Sequence, residues 1–343
     1  MELPVTTAPI GGRLRAYLEF IAAVIFFFIA RAVAHHAAFN LASEPWVPLT
    51  EQAALVFELI VGFAALGMIL DRQKNPVAEQ GLPARPGWGR EVGLGLAVGW
   101  GMALLCVLLL ALDGGIAVVF SSQIPAWGWL LADGLFFVLS AMAEEVAFRG
   151  YGFQRFAEVV GPVGATLGYS AFYAVIQALQ LGSTRLSIAV SMLLSVLLCS
   201  AYLRTRALWV SWGLNFGWKA SRALIFGLAV SGVSSHSSVI EGDPMGPFWL
   251  TGGGYGLDGS WLAFFVLLLA LPIVFRMTRE LDFVHNAPVI VAGGIPVDLD
   301  GAARRQHESQ MGPAEPASQF VQILPASTLD PEIRELPPET ERD

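Results

Sequence analysis

The sequence predicts an all-α membrane protein, a polytopic bundle of about eight transmembrane helices. Of the 343 residues, 55% are hydrophobic and only 14% are charged, whereas an ordinary soluble domain carries about 25% charged residues. The mean hydropathy is +0.60. These values exclude a soluble globular protein and indicate that most of the chain lies in lipid or between packed helices.

Eight apolar stretches approach the length of about 20 residues that a membrane crossing needs. They lie at 16–38, 51–71, 92–112, 126–148, 163–181, 186–203, 207–230 and 260–276. The eighth is the shortest and contains Pro272. The first could be a cleaved signal peptide, because Arg13 and Arg15 precede it. Glu19 inside its apolar core favours a retained span instead.

The positive charges predict the orientation, because short cytoplasmic loops hold the Lys and Arg residues of a membrane protein. Alternate loops are basic, and the intervening loops contain only Arg185. The residues that we assign to the cytoplasm are Arg13, Arg15, Arg72, Lys74, Arg85, Arg90, Arg149, Arg155, Arg204, Arg206, Arg276 and Arg279. We therefore expect an integral protein of the plasma (inner) membrane with both termini in the cytoplasm.

Composition divides the chain into three regions. Residues 1–84 hold the first two helices and a basic cytoplasmic loop, and residues 85–276 form the membrane core. Residues 277–343 are acidic and Pro-rich, with 12 Asp/Glu against 5 Lys/Arg, which predicts a disordered cytoplasmic tail.

Without a basic surplus the chain cannot neutralise a run of phosphates, so nucleic acid is excluded as a partner. Cys106 and Cys199 lie in apolar runs, which favours buried thiols over a disulfide or metal site.

Two adjacent carboxylates lie near the cytoplasmic end of the fourth span, in the stretch EEVAFR at 144–149. Ionisable groups inside a span are costly and commonly face the bundle interior or a wet cavity. Glu145 and Arg149 are four residues apart and can pair along one helix face. Glu144 lies about 100° around the helix from Glu145, so it is left free to act as a general base toward water. The structural alternative is a pair of carboxylates that caps the helix end.

Two further polar pairs lie on later spans. Tyr173 and Gln177 share one face of the fifth span, where a Gln commonly makes an interhelical hydrogen bond. Asn215 and Lys219 share one face of the seventh span, with Lys219 about 18 Å into that helix. A lysine at this depth needs a partner, and one of the two glutamates of the fourth span is the expected one. A purely structural ion pair is therefore an open alternative.

These three stretches, in this order on the fourth, fifth and seventh spans, resemble the motifs of the CPBP family of intramembrane proteases. That family includes CAAX-type prenyl-protein endopeptidases and bacteriocin-processing or immunity proteins. The resemblance covers roughly residues 85–275. The family's first motif, EExxxR, matches Glu144, Glu145 and Arg149.

The other two motifs are matched in position but not in residue type. The second, an aromatic residue followed four residues later by His, falls on Tyr173 and Gln177. The third, HxxxN after a Leu-Trp, falls on Asn215 and Lys219. In the family the two histidines and the asparagine complete the active site, and none of the three is kept here.

The histidines of the chain lie outside these motifs, at His35, His36, His236, His285 and His307. Zinc is suggested by the family resemblance alone, since zinc sites need imidazole, thiolate or carboxylate ligands. The core offers only two glutamates of this kind, so we expect no metal and no other cofactor. His35 and His36 lie near the outer end of the first span and are predicted to be interfacial.

The resemblance and the departures from it lead to two hypotheses. In the first, the chain is an endopeptidase with a cavity open to the cytoplasm, in which Glu144 activates water and Gln177 positions it. Asn215 and Lys219 then donate hydrogen bonds to the developing oxyanion. In the second, the chain is a pseudoprotease that acts as a membrane binding, chaperone or immunity protein. The expected partners are a membrane-associated protein or peptide, as substrate or client, and membrane lipid.

Overall fold

The computed structural model describes residues 10–121, 123–237, 239–285, 289–290 and 296–297. Its main unit, within residues 7–288, is a bundle of α-helices. The helices are α1 Ile10–Leu41, α2 Val47–Leu70, α3 Pro76–Glu79, α4 Trp88–Leu112, α5 Ile124–Arg149, α6 Tyr151–Ala178, α7 Arg185–Thr205, α8 Trp209–Ala220, α9 Phe248–Thr251, α10 Trp261–Met277 and α11 Arg279–His285.

The all-α membrane fold is confirmed. Among the described residues, five helical segments are long and apolar enough to cross a membrane, and the fourth of them contains both α5 and α6. These segments are Gly12–Leu41, Glu44–Leu70, Trp88–Leu112, Ile124–Ala178 and Arg185–Thr205. α10 is a shorter apolar helix of 17 residues that contains Pro272. The number of eight spans therefore stays a prediction.

Local sequence signals place several helix starts. Pro48 and Pro125 lie in the first turns of α2 and α5, where the missing N–H of proline breaks no helical hydrogen bond. Thr184 and Ser187 form a reciprocal capping box at the start of α7. The Ser260 hydroxyl accepts a hydrogen bond from the backbone N–H at the third position of α10.

The seventh span is shorter than the sequence indicates. The apolar run at 207–230 predicts one continuous helix, but α8 ends at Ala220 and continues as a π-helical turn over Ser221–Ile225. Beyond this turn the chain leaves the helical conformation. α6 is interrupted at Gly161, whose backbone is not helical (φ 79°, ψ 165°), so the predicted span at 163–181 corresponds to the part of α6 after this break.

Glycines bring α8 unusually close to α4, in the most extensive helix–helix contact of the bundle. A Cβ atom added at Gly95 or Gly99 of α4 would meet a backbone carbonyl of α8 at 2.1 and 2.3 Å. One added at Gly213 or Gly217 of α8 would meet a carbonyl of α4 at 2.2 and 2.7 Å. Two GxxxG patterns thus face each other and allow backbone-to-backbone packing.

The apolar side chains form two main cores, and α5 and α8 contribute to different ones. Leu110, Leu197 and Trp218 belong to a core shared by α4, α7, α8 and α10. Phe63 and Phe153 belong to a core shared by α1, α2, α5, α6 and α7. The polar residues of α5 and α8 meet where these two cores adjoin.

Successive helices run in opposite directions, which gives the bundle two chemically different ends. The Arg-rich end holds the loops at 71–87 and around 150 and 206, together with the start of α1. Here Arg155 lies 3.4 Å from Asp71 and 3.7 Å from Glu19, which ties α6 to α2 and α1. Arg15 lies 2.7 Å from Glu19 on α1. The inward-facing Glu19 is thereby paired within the bundle.

The Arg-poor end holds the segments at 42–46, 113–121, 179–184, 226–237 and 239–260. Strand β1, Ile116–Phe120, pairs antiparallel with strand β2, Ile240–Pro244. This two-stranded sheet was not expected from the sequence. It fastens the segment between α8 and α9 to the loop that precedes α5.

The chain after Met277 is not wholly the disordered tail that the sequence predicts. α11 occupies Arg279–His285, and Arg204 of α7 lies 3.1 Å from Asp282. A second unit includes the strands β3, Val289–Ile290, and β4, Pro296–Val297, which pair antiparallel. The remaining tail residues, His307 among them, lie outside the described residues, so their predicted disorder is untested.

Candidate functional site

Glu144 of α5 is the centre of a hydrogen-bonded cluster that joins three helices. The ammonium of Lys219 on α8 lies 2.5 Å from its Oε1 atom. Its Oε2 atom accepts hydrogen bonds from Asn215 Nδ2 at 3.0 Å and from the Tyr173 hydroxyl at 3.3 Å. The predicted deep lysine therefore pairs with the first glutamate. Lys219 is buried, while 23% of the Glu144 side chain is exposed.

Glu145, the next residue of α5, is fully buried, in contrast to the partly exposed Glu144. Its Oε1 atom accepts a hydrogen bond from Asn215 Nδ2 at 3.0 Å and lies 3.5 Å from Arg149 Nη1. Arg149 is also fully buried and donates to the Ser195 hydroxyl on α7 at 2.9 Å. One turn of α5 thus carries an enclosed ion pair beside an accessible one, as the spacing of the motif allows.

Tyr173 and Gln177 share a face of α6, one turn apart. Gln177 Nε2 donates to the Tyr173 hydroxyl at 3.0 Å. The Tyr173 hydroxyl in turn donates to Glu144. The amide of Gln177 therefore reaches the carboxylate through the phenol. The seven residues singled out from the sequence are all joined in this one cluster, while their catalytic role stays a prediction.

A cavity of about 400 Å³ adjoins the cluster. Glu144, Tyr173, Gln177 and Lys219 all line it. Its apolar wall comes from α1, α2, α5 and α6, at Phe27, Leu55, Phe136, Phe137, Phe148 and Ile176. Asn215 and Glu145 lie behind the exposed carboxylate rather than on the wall.

The cavity runs from the cluster toward the Arg-poor end of the bundle. Its lining there includes Pro48, Glu51 and Gln52 at the start of α2, and Gln180 after α6. The segment at 230–236 covers the same end. The expected opening to the cytoplasm stays a prediction, because the lining extends toward the Arg-poor end and the side of the membrane that this end faces is not tested.

Sequence reasoning missed four charged or titratable residues of the cavity wall, namely Arg31, Glu51, Asp133 and His236. The signal was present for two of them, because Arg31 and Asp133 interrupt apolar spans. His236 had no comparable signal, because it lies in a Ser-rich loop outside the predicted spans. One histidine therefore does reach the cavity, at the end away from the family motif positions.

The segment at 230–236, which we call the roof, is fastened by two buried carboxylates. Asp133 of α5 lies 3.0 Å from His236 Nδ1 and accepts a hydrogen bond from the Ser237 backbone N–H at 2.9 Å. Asp258 accepts hydrogen bonds from the backbone and hydroxyl of Ser231. Asp258 also lies 2.7 Å from the buried Arg222, so the roof is linked to the π-helical turn that follows Lys219.

The donor set of the cluster does not fit zinc. It consists of carboxylates, a phenol, two amides and an ammonium, and zinc sites in proteins are built from imidazole, thiolate and carboxylate groups. The carboxylate that faces the cavity is already bound to the Lys219 ammonium. Within the described residues, no three His, Cys, Asp or Glu side chains are grouped in a way that could hold a metal ion. The absence of a cofactor stays a prediction.

The fold and cluster together define a polytopic membrane protein with a polar site buried between its helices. Residues 125–221 match the family model described as Type II CAAX prenyl endopeptidase Rce1-like. Over these residues the chain is similar to that family, and the family recognised from the three motifs is confirmed for this segment. The matched segment includes every residue of the cluster from Glu144 to Lys219. No curated protein and no solved structure matches the chain.

Proposed function

We propose that this CAAX-protease-like membrane protein binds a ligand in the Glu144 cavity and does not hydrolyse it. The observation that carries the proposal is the 2.5 Å contact between the Lys219 ammonium and Glu144 Oε1. A general base must offer a lone pair to water and take up its proton. The Lys219 ammonium, held directly against the carboxylate, occupies the oxygen atom that would otherwise accept the proton of water.

The second oxygen of Glu144 is no more available for this task. It accepts hydrogen bonds from both Asn215 and Tyr173. The Asn215 amide, which in the catalytic hypothesis donates to the oxyanion of the substrate, therefore donates to the Glu144 carboxylate instead. Asn215 also bonds Glu145. These contacts hold the cluster together, while the adjoining apolar cavity leaves room for a ligand in a protein that is not catalytic.

The family activity, endopeptidase hydrolysis, is the second candidate. It is favoured by the convergence of Glu144, Tyr173, Gln177 and Lys219 on one cavity. In that reaction Glu144 takes a proton from water, the hydroxide attacks the peptide carbonyl, and the proton passes to the leaving amine. Lys219 would then move from the carboxylate to the oxyanion, where one good donor contributes roughly 3 kcal/mol.

A comparison of protein termini distinguishes the two candidates. Terminal-peptide mass spectrometry is applied to membranes from cells that carry the wild type, a deletion or Glu144→Gln, which keeps the shape but removes the base. We expect Glu144→Gln to match the wild type at every terminus that the deletion changes. Termini lost in both the deletion and Glu144→Gln would instead establish hydrolysis and identify the substrate. Glu58→Gln is the matched control, because Glu58 is a carboxylate of α2 outside the cavity lining.

We further propose that the Arg-rich end faces the cytoplasm of a plasma (inner) membrane. Cys106 and Cys199 are both buried, so a single introduced cysteine can be labelled against a low background. A membrane-impermeant maleimide added to intact cells should label Ser235→Cys at the roof and leave Lys74→Cys unlabelled until the cells are opened. The reverse pattern would invert the proposed orientation. The expected clients are a membrane-associated protein or peptide, or membrane lipid.

A further inference from the structure

Three carboxylates line the Glu144 cavity, and each is already engaged by the protein. Glu144 is paired with Lys219. Glu51 lies 2.9 Å from His35 Nδ1 on α1. Asp133 lies 3.0 Å from His236 Nδ1 of the roof and accepts a hydrogen bond from the backbone N–H of Ser237, the next residue. The cavity therefore offers no carboxylate without a partner to a cationic ligand.

Arg31 differs from these residues. It lines the cavity from α1, and within the described part of the chain it makes no hydrogen bond or ion pair. It lies ten residues before the end of α1, which is about 15 Å along the helix axis. A cation inside a membrane-spanning helix is costly unless it meets a partner or water. Arg31 is exposed, and it contributes to the cavity lining.

Part of the wall is suited to hydrocarbon. Six large apolar side chains line the same cavity as Arg31 and the cluster, namely Phe27, Leu55, Phe136, Phe137, Phe148 and Ile176. At about 400 Å³, the cavity has the size of a small-molecule site, which is roughly 300–1,000 Å³.

From this arrangement we propose that the Glu144 cavity binds an amphiphile with a hydrocarbon chain and one anionic group, and that Arg31 binds the anionic group. The hydrocarbon chain lies along the apolar wall toward the Glu144 cluster. The guanidinium is suited to this task because its donors match a carboxylate or phosphate in a two-point contact. The inference rests on the proposed binding function and names the chemical class of its ligand.

The test measures whether the site distinguishes charge at constant chain length. The full-length chain is purified and placed in phosphatidylcholine nanodiscs. It is then titrated with 11-(dansylamino)undecanoic acid and with the corresponding neutral alcohol, and binding is followed by dansyl fluorescence. We expect the wild type to bind the acid about tenfold more tightly than the alcohol, as one charge-assisted contact allows.

Variants assign that discrimination to a residue. Arg31→Gln should lose about tenfold in affinity for the acid and keep the affinity for the alcohol, which shows at the same time that the cavity is intact. Arg31→Lys should retain part of the preference. Arg185→Gln is the matched control, because Arg185 lies at the same end of the bundle but does not line the cavity. Equal binding of acid and alcohol by the wild type, or an unchanged preference in Arg31→Gln, would overturn the proposal.

Competition identifies the source of the anionic group. Displacement of the bound probe by phosphatidylglycerol in the nanodisc supports a lipid headgroup, whereas displacement by oleate alone supports a single-chain acid. Displacement by neither, but by a neutral hydrophobic peptide, would contradict the proposal. The result is separable from the proposed function, because evidence of hydrolysis comes from the terminal-peptide comparison and leaves the acid preference to be measured independently.

Discussion

The polar cluster has an enclosed half and a cavity-facing half, and adjacent residues of α5 belong to different halves. Glu145 and Arg149 have no exposed surface and are sealed between α5, α7 and α8. Glu144 and Lys219 are 23% and 7% exposed in their side chains and line a cavity. Each half therefore contains a carboxylate paired with a cation, but one pair is sealed inside the protein and the other lines a cavity.

The difference separates a structural role from a functional one. A charge without access to water loses several kcal/mol if its partner is removed, since nothing else can solvate it. A charge on a cavity wall can be solvated by water that enters the cavity. The enclosed pair should accordingly determine whether the protein folds, and the exposed pair should determine what the cavity binds.

Removal of the enclosed carboxylate should have the largest effect. Glu145→Gln leaves the Arg149 guanidinium buried without a counter-charge and should lower the free energy of unfolding by about 3 kcal/mol. The measurement is thermal unfolding of the detergent-purified chain. The double variant Glu145→Met with Arg149→Leu should recover much of the loss, because it removes both charges. A double variant no more stable than the single one would contradict this assignment.

Removal of the exposed cation should have a smaller effect on stability. Lys219→Met leaves Glu144 with Asn215, Tyr173 and cavity water, so we expect a loss of about 1–2 kcal/mol, between exposed and buried ion pairs. The same thermal assay measures it. If Lys219→Met destabilised the chain as much as Glu145→Gln, the two halves of the cluster would not differ as described.

The smallest effect is expected at the edge of the cluster. Gln177→Ala removes one neutral hydrogen bond to the Tyr173 hydroxyl at a cavity-lining position, which should cost about 0.5 kcal/mol. We expect Gln177→Ala to change the affinity for the probe in the dansyl assay, while thermal unfolding shows only this small loss of stability. A large loss of stability with unchanged probe binding would place Gln177 in the structural half instead.

Sequence reasoning located the cluster because charged and polar residues are rare in apolar spans. The four-residue spacings of Glu145 with Arg149 and of Tyr173 with Gln177 required only helical geometry, and both contacts are present. Which glutamate contacts Lys219 could not be predicted, because that depends on how α8 is rotated against α5.

Other features of the structure could not be predicted, because they depend on contacts between segments that are far apart in the sequence. The π-helical turn after α8 ends at Ile225, inside the stretch at 207–230 that is apolar enough to predict one span, so composition gave no boundary there. The strands at Ile116–Phe120 and Ile240–Pro244 are short and pair over a long sequence separation. The direction of the cavity depends on the roof, which lies in a loop sequence without a periodic pattern.

The close contact between α4 and α8 also bears on how such a protein can evolve. The position of α8 is determined on one side by glycines that admit the backbone of α4, and Asn215 and Lys219 project from a different face. Substitution of the residues at these two positions therefore need not move the helix that carries them. A lineage can exchange the chemistry of the site while its scaffold stays under separate selection, and the persistence of the fold is then no guarantee that the reaction has persisted.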